Sequence, residues 1–132
     1  MCATRVSDWE KILSPQVLVV DDTRQIRLLI TAMLRSCGYR VLQANDGLAA
    51  RVILMTAHPA LVISDLEMPV YSGWELLTHC HLHYPKLPVM LVSGGALGQR
   101  PEIESWAASA LPKPFGLTQF RAEVQRLVPL AA

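Results

Sequence analysis

The stretch LVISDLEMPVYSGWELL occupies residues 61–77 and shows how this chain is built. It opens with the unbroken apolar run Leu61-Val62-Ile63, a pattern typical of a strand covered on both faces. The run ends in the polar pair Ser64-Asp65, and from about Gly73 to His83 the apolar residues are spaced as in a helix. A buried strand, a polar strand end and a helix therefore follow one another within a few residues.

The same unit repeats along the chain. The apolar runs that predict strands are Val17–Val20, Val41-Leu42, Leu61–Ile63, Val89–Val92 and Ala110-Leu111. The helical patterns span Ile26–Cys37, Asp46-Gly47 to His58-Pro59, Gly73–His83, Pro101–Ala108 and Leu117–Leu127, and in the second of them Leu48, Val52 and Met55 are the expected buried stripe. Five alternations of strand and helix predict an α/β fold with a parallel sheet and helices on both faces.

Composition limits the class of protein. A chain of 132 residues with 12 basic and 11 acidic residues fits one domain and shows no nucleic-acid footprint or basic membrane patch. Cys2, Cys37 and Cys80 lack metal or disulfide spacing, which favours a reducing compartment. With no apolar run near the roughly 18 residues of a membrane span and no secretory signal, we expect a soluble, cytoplasmic protein.

Residues 1–15 are expected to be an N-terminal extension to a domain at residues 16–132. The segment Ser7-Asp8-Trp9-Glu10 has the spacing of a capping box, which predicts one or two helical turns. A frayed tail is the alternative.

Polar side chains end four of the predicted strands. They are Asp21 and Asp22, Asp65, Ser93 and Lys113. Any of these residues alone could be a turn former, a helix cap or a loop residue, but the carboxyl ends of parallel strands share one edge, where ligands bind. Three carboxylates repel one another unless a hard cation such as Mg²⁺ neutralises them. A carboxylate between a metal and a lysine can attack phosphorus, so the sequence predicts phosphoryl chemistry at this edge.

Four motifs together resemble the response-regulator receiver family of bacterial two-component systems, which includes the chemotaxis regulator. They are VLVVDD at 17–22, LVISDLEMPVYSGWELL at 61–77, PVMLVSGG at 88–95 and LPKPF at 111–115. The resemblance covers about residues 16–128. It implies a flavodoxin-like, doubly wound (βα)5 fold with strand order 2-1-3-4-5.

The resemblance also implies roles. Asp65 is similar to the phospho-acceptor, Asp22 to the direct Mg²⁺ ligand, Asp21 to the acidic partner that holds the ion through water, and the Glu67 carbonyl to a further ligand. Ser93 corresponds to the switch hydroxyl and Lys113 to the lysine that pairs with the phosphoryl group, in a Lys113-Pro114 bond that is typically cis. Met68-Pro69 and Gly73 match the loop after the acceptor. The donor would be a histidine kinase or histidine phosphotransfer protein, and a homodimer through helix four, strand five and helix five is one option.

Two departures concern the readout rather than the acceptor. Ala110 stands where the family often has Tyr or Phe, and Trp106-Ala107 stands where a Gly-Ala pair is common. The residues that flank the path of hydrolytic water in the family correspond to Glu67 and Gly95. Because Ala110 has no aromatic side chain that could rotate, we expect the response to phosphorylation to use the loop 94–100 and helix four.

Two other functions remain open from the sequence. A Mg²⁺-dependent phosphatase with an aspartate nucleophile would use a similar sheet, but it needs a DxD motif after the first strand, whereas this chain has Asp21-Asp22-Thr23. A pseudo-receiver would bind partners without phosphorylation, although all the site residues are present. The chain is expected not to be an enzyme beyond self-phosphorylation and autodephosphorylation. The HxHxH stretch, with His79, His81 and His83, is expected to be helix surface rather than a metal site.

Overall fold

A computed structural model describes residues 14–130 of the chain, so the helical turns predicted at 7–10 lie outside the described residues. The elements are β1 (Gln16–Val20), α1 (Arg24–Ser36), β2 (Arg40–Ala44), α2 (Gly47–Leu54), β3 (Leu61–Asp65), α3 (Gly73–His83), β4 (Val89–Ser93), α4 (Pro101–Glu104), β5 (Ser109–Pro112) and α5 (Leu117–Leu127). The predicted alternation of five strands and five helices is confirmed.

The five strands form one parallel sheet in the order β2-β1-β3-β4-β5. Val20 of β1 pairs with Ser64 of β3, and Asp65 pairs with Val92 of β4. The carboxyl ends of β1, β3 and β4 therefore lie side by side. The strand order reverses at β1, so these ends border the crevice where doubly wound sheets bind ligands.

The sheet separates two apolar cores. Val17 and Val19 of β1 pack on the α1 and α5 side with Phe120, whereas Leu18 of the same strand packs on the α2 and α3 side with Leu77. All four aliphatic residues of β1 are at most 1% exposed. This two-sided burial is why the strand sequences are continuously apolar.

Local sequence signals set several helix boundaries. The Asp46 carboxylate accepts a hydrogen bond from Ala49 N at 2.7 Å and caps α2. Ser72 and Glu75 form a capping box at the start of α3. After α1, Gly38 has φ +102°, a conformation that glycine adopts without the steric cost other residues pay.

The buried stripe predicted for α2 is wrong. Leu48, Val52 and Met55 are 46%, 65% and 74% exposed, whereas Ala50 and Leu54 face the core. Both sets have helical spacing, but the set with glycine and alanine lets the helix approach its neighbours, and a side chain on Gly47 would collide with Tyr71. The helix also ends at Leu54, before the predicted stop.

Helix α4 is shorter than predicted as well. It spans Pro101–Glu104 and is followed by a turn rather than continuing to Ala108. Its Ile103 packs only partly against the core beneath α3. A helix of four residues makes little buried contact, so its position depends on the loops on either side.

Candidate functional site

Three carboxylates meet at the carboxyl edge of the sheet, as the sequence predicted. Asp21 and Asp22 follow β1 and Asp65 ends β3, and one oxygen from each lies within 4.8 Å of the other two. Asp21 and Asp65 are 1% and 4% exposed, whereas Asp22 is exposed. The group therefore has two buried carboxylates and one that faces solvent.

The Asp21 side chain is fixed by the turn into α1. Its Oδ1 accepts a hydrogen bond from Thr23 N at 2.8 Å, and Arg27 donates to its carbonyl oxygen at 2.8 Å. Thr23 itself is the N-cap residue, although its side chain makes no capping bond. These contacts leave Oδ2 of Asp21 directed toward the interior of the site.

Lys113 is brought to the carboxylates by β5. Its backbone N–H donates to the Ser93 carbonyl at 2.7 Å, and its Nζ lies 3.5 Å from both Asp21 Oδ2 and Asp65 Oδ2. The peptide bond between Lys113 and Pro114 is cis, as the family resemblance implied. One ammonium group thus bridges two buried carboxylates.

The electrostatics of Asp65 follow from this packing. Burial raises the pKa of the Asp65 carboxyl above its ordinary value, Lys113 opposes the rise, and the charge of Asp21 adds to it. The burial and the neighbouring carboxylate outweigh the lysine, so the site has a deficit of positive charge. A further cation is the natural way to offset that deficit.

The loop after Asp65 passes very close to its backbone. A Cβ atom on Gly73 would lie 2.3 Å from the Asp65 carbonyl oxygen, so only glycine fits there. Tyr71 N donates to the Pro69 carbonyl at 2.7 Å across Val70, whose φ is +70°. A branched residue in this conformation is strained, a feature that the sequence did not predict.

A second group of contacts forms beside the carboxylates, around the side chain of Glu67. The Glu67 carboxylate accepts a short hydrogen bond from Ser93 Oγ, and its Oε1 also accepts from Gly95 N at 3.1 Å and Ala96 N at 3.2 Å. The Ser93 hydrogen bond, followed by those of the two amides, lowers the pKa of the Glu67 carboxyl. The resemblance implied a metal-ligand role for the Glu67 carbonyl and a place for Glu67 beside the path of hydrolytic water. It did not imply these side-chain contacts, because they depend on the path of the loop after β4.

The donor set fits a hard divalent cation. The three carboxylates offer only oxygen ligands, which Mg²⁺ prefers, and the exposed Asp22 leaves one side open for water. Within residues 14–130 this is the one set of three acidic, histidine or cysteine side chains close enough to share a metal. That the Glu67 carbonyl oxygen also binds the metal stays a prediction.

The three histidines of α3 do not form a comparable site. The rings of His79 and His83 lie 4.5 Å apart between centroids, and no third ligand joins them among the described residues. Burial, with the charges of Arg51 and His83, lowers the pKa of His79. His81 instead stacks on Trp106 at 4.1 Å, with the rings almost parallel.

Comparison with known proteins agrees with this geometry. The sequence profile of the response regulator receiver domain matches residues 17–125. The chain belongs to the response regulator receiver family. Receiver domains are the phosphorylation-controlled modules of two-component signal transduction, and the cluster of Asp21, Asp22 and Asp65 is like the acidic phospho-accepting site of this family.

Individual relatives are similar over most of this receiver domain. This chain is 30% identical to sporulation initiation phosphotransferase F of Bacillus subtilis, with 90% of this chain and 98% of that protein covered. It is 37% identical to the sensor histidine kinase RcsC of Escherichia coli over 85% of this chain, which is only 12% of that protein. The crystal structure of response regulator TrrA from Thermotoga maritima in complex with Mg²⁺-BeF superposes with a TM-score of 0.79 at 27% identity, with 86% and 99% of the two chains covered.

The comparisons and the fold together confirm the receiver prediction and its strand order. They also support metal binding at the acidic edge, since TrrA was crystallised with Mg²⁺-BeF. No helix within residues 14–130 has the length and apolarity needed to cross a membrane.

Proposed function

We propose that Asp65 is the residue that accepts the phosphoryl group, and that a histidine kinase or a histidine phosphotransfer protein supplies it. The observation that carries this assignment is the position of Asp65 Oδ2, 3.5 Å from Lys113 Nζ in a buried crevice that also contains Asp21 and Asp22. Relatives that include a phosphotransferase and sensor kinases support the nature of the donor.

Mg²⁺ is the proposed cofactor. Asp21, Asp22, Asp65 and the Glu67 carbonyl would hold it, and when bound it supplies positive charge to the carboxylates and to the transferring phosphoryl oxygens. The acidic edge supports this choice, because its ligands are all oxygens and two of the three carboxylates are buried.

The chain's own groups then have separate tasks. A carboxylate oxygen of Asp65 attacks phosphorus, and the bond from phosphorus to the donor histidine breaks, which leaves the imidazole as the leaving group. Lys113 stabilises the charge on the phosphoryl oxygens, and Ser93 donates a hydrogen bond to one of them. Water later hydrolyses the acyl phosphate, so we propose no other enzymatic activity, and the cytoplasm as the place of action.

The experiment is phosphorylation by a small-molecule donor with Mg²⁺, followed by intact mass. We expect the wild type to gain one phosphoryl group and Asp65→Asn to gain none. Asp22→Asn should keep the fold, because Asp22 is exposed, but bind Mg²⁺ at least about tenfold more weakly. Equal modification of wild type and Asp65→Asn would contradict the acceptor assignment.

The same sample separates the phosphatase alternative. A receiver takes up one phosphoryl group and cannot take another until its acyl phosphate is hydrolysed. A phosphatase, in contrast, hydrolyses many molecules of a generic phosphate ester such as p-nitrophenyl phosphate. If the wild type hydrolyses this ester repeatedly and Asp65→Asn does not, the phosphatase is favoured. A chain that is never modified, yet binds its partner, would favour the pseudo-receiver.

A further inference from the structure

Three donors converge on one oxygen of the Glu67 side chain. Ser93 Oγ, Gly95 N and Ala96 N all donate to Oε1, and the three donors belong to the end of β4 and the loop that follows it. The carboxylate thus connects the loop after the acceptor strand to the loop after the neighbouring strand. Backbone amides and a hydroxyl that point to one place form a binding site for an anion, and here the Glu67 carboxylate is that anion.

The Ser93 hydroxyl has one proton, and that proton is already used. Ser93 Oγ donates to Glu67, while Ala96 N and Gly95 N donate to Ser93 Oγ at 2.8 and 3.2 Å. Because β4 pairs with β3 at Val92 and Asp65, Ser93 lies next to the acceptor. The hydroxyl cannot donate to a phosphoryl oxygen on Asp65 without giving up Glu67.

Charge works in the same direction. The backbone of Glu67 is tied to the acceptor, since its N–H donates to Asp65 Oδ1 at 3.3 Å. A phosphoryl group would add about 1.5 to 2 negative charges beside this carboxylate. The donors that hold Glu67 are neutral, so they do not offset that repulsion.

We propose that Glu67 is a positioning residue of the switch: its carboxylate holds Ser93 and the 95–96 amides until a phosphoryl group on Asp65 takes the Ser93 proton. This inference rests on Asp65 being the acceptor. Release of Glu67 removes the anchor of the loop 94–100. Gly98 N of this loop donates to Glu104 of α4 at 2.8 Å, and Trp106 beyond α4 stacks on His81, so the change reaches α4 and the surface of α3.

A double-mutant cycle with beryllofluoride and Mg²⁺ as the phosphoryl mimic tests the competition. Glu67→Ala should bind the mimic about tenfold more tightly than wild type, because a charge-assisted hydrogen bond to Ser93 no longer has to be broken. In the Ser93→Ala background the same change should have a clearly smaller effect, since only charge repulsion is then removed. An equal gain in both backgrounds, or no gain in either, would overturn the positioning role.

Amide hydrogen exchange without any donor or metal gives a second measurement. Glu67→Ala should accelerate exchange at Gly95 and Ala96 by about tenfold, and Glu102→Ala, a change of an exposed glutamate on α4, should not. In the wild type the mimic should produce the same acceleration and extend it through residues 94–107. Unchanged exchange at 95 and 96 in Glu67→Ala would refute the inference.

The two proposals fail in different ways. If wild type does not bind the mimic and Asp65→Asn behaves identically, the acceptor assignment is wrong. If wild type binds the mimic through Asp65 but Glu67→Ala changes neither affinity nor exchange, the acceptor stands and only the role of Glu67 is wrong.

Discussion

The two halves of the site are built differently. The strand half, made of Asp21, Asp22, Asp65 and Lys113, lies at the ends of β1, β3 and β5, and two of its three carboxylates are buried. The loop half, made of Glu67, Ser93 and the loop 94–100, is joined by hydrogen bonds to one carboxylate oxygen. The sheet therefore holds the acidic cluster in place, whereas hydrogen bonds to a single side chain hold the loop after β4.

The halves also differ in charge balance. The strand half has three carboxylates against one ammonium group. The loop half has three neutral donors around one carboxylate. Losing a charge should therefore change stability strongly in the strand half, whereas the loop half should depend more on backbone conformation.

The largest effect is expected from Lys113→Met. Removing the ammonium leaves Asp21 and Asp65 buried and without their cation, which should lower the free energy of unfolding by about 3 kcal/mol without metal. Added Mg²⁺ should recover part of the loss. Urea denaturation measures both, with the exposed Lys86→Met as the control. Equal stability of the two variants would mean that the strand half does not depend on charge pairing.

A smaller effect of opposite sign is expected from Asp65→Asn. Burial raises the pKa of Asp65, so the wild type loses stability from this group as pH rises above the unfolded value of 3.8 and through the raised folded value. The asparagine side chain of the variant is neutral, so it has no such cost of burying a charge. Without metal, Asp65→Asn should be on the order of 1 kcal/mol more stable at neutral pH, with a Tm about 4 °C higher.

The pH dependence identifies the cause of that gain. The gap between Asp65→Asn and wild type should close as the pH falls toward 3.8, because the wild-type carboxyl is then protonated. Asp22→Asn is the matched control, since Asp22 belongs to the same cluster but is exposed. A gap that is independent of pH would show that charge is not the reason.

An effect of similar or smaller size concerns the loop half. Gly98 has φ +88°, and Gly95 does not have a positive φ, while a Cβ would meet open space at both. Gly98→Ala should therefore cost about 1 kcal/mol of stability through backbone strain alone. Gly95→Ala should stay within about 0.5 kcal/mol. Thermal unfolding of the pair checks this, and equal costs would mean that space rather than conformation restricts the loop.

The carboxylate cluster and its lysine were predictable because the ends of buried strands can be recognised from sequence. Continuous apolar runs mark buried parallel strands, and the polar residue that ends each run must lie at the common edge. The sequence therefore predicts that Asp21, Asp22, Asp65 and Lys113 lie together, and the structure confirms that they are close.

The contacts of Glu67 and the orientation of α2 were not predictable in the same way. Hydrogen bonds from Ser93, Gly95 and Ala96 to one carboxylate depend on how two loops approach each other, which no local spacing encodes. For α2, two sets of residues had equal helical periodicity. Close packing of Gly47 and Ala50 decided between them, and periodicity does not measure how near a helix must come.

Both ends of the described part of the chain lie near the amino-terminal ends of the strands, opposite the acidic cluster. The Pro15 carbonyl accepts from Arg40 N at the start of β2, and the Val128 carbonyl accepts from Tyr39 Oη, one residue earlier. Chain that passes through Pro15 and Val128 therefore does so at the opposite ends of the strands from the acidic cluster and does not cover it. The same arrangement would suit a receiver domain that lies within a longer chain, and in RcsC the region similar to this chain is 12% of the protein.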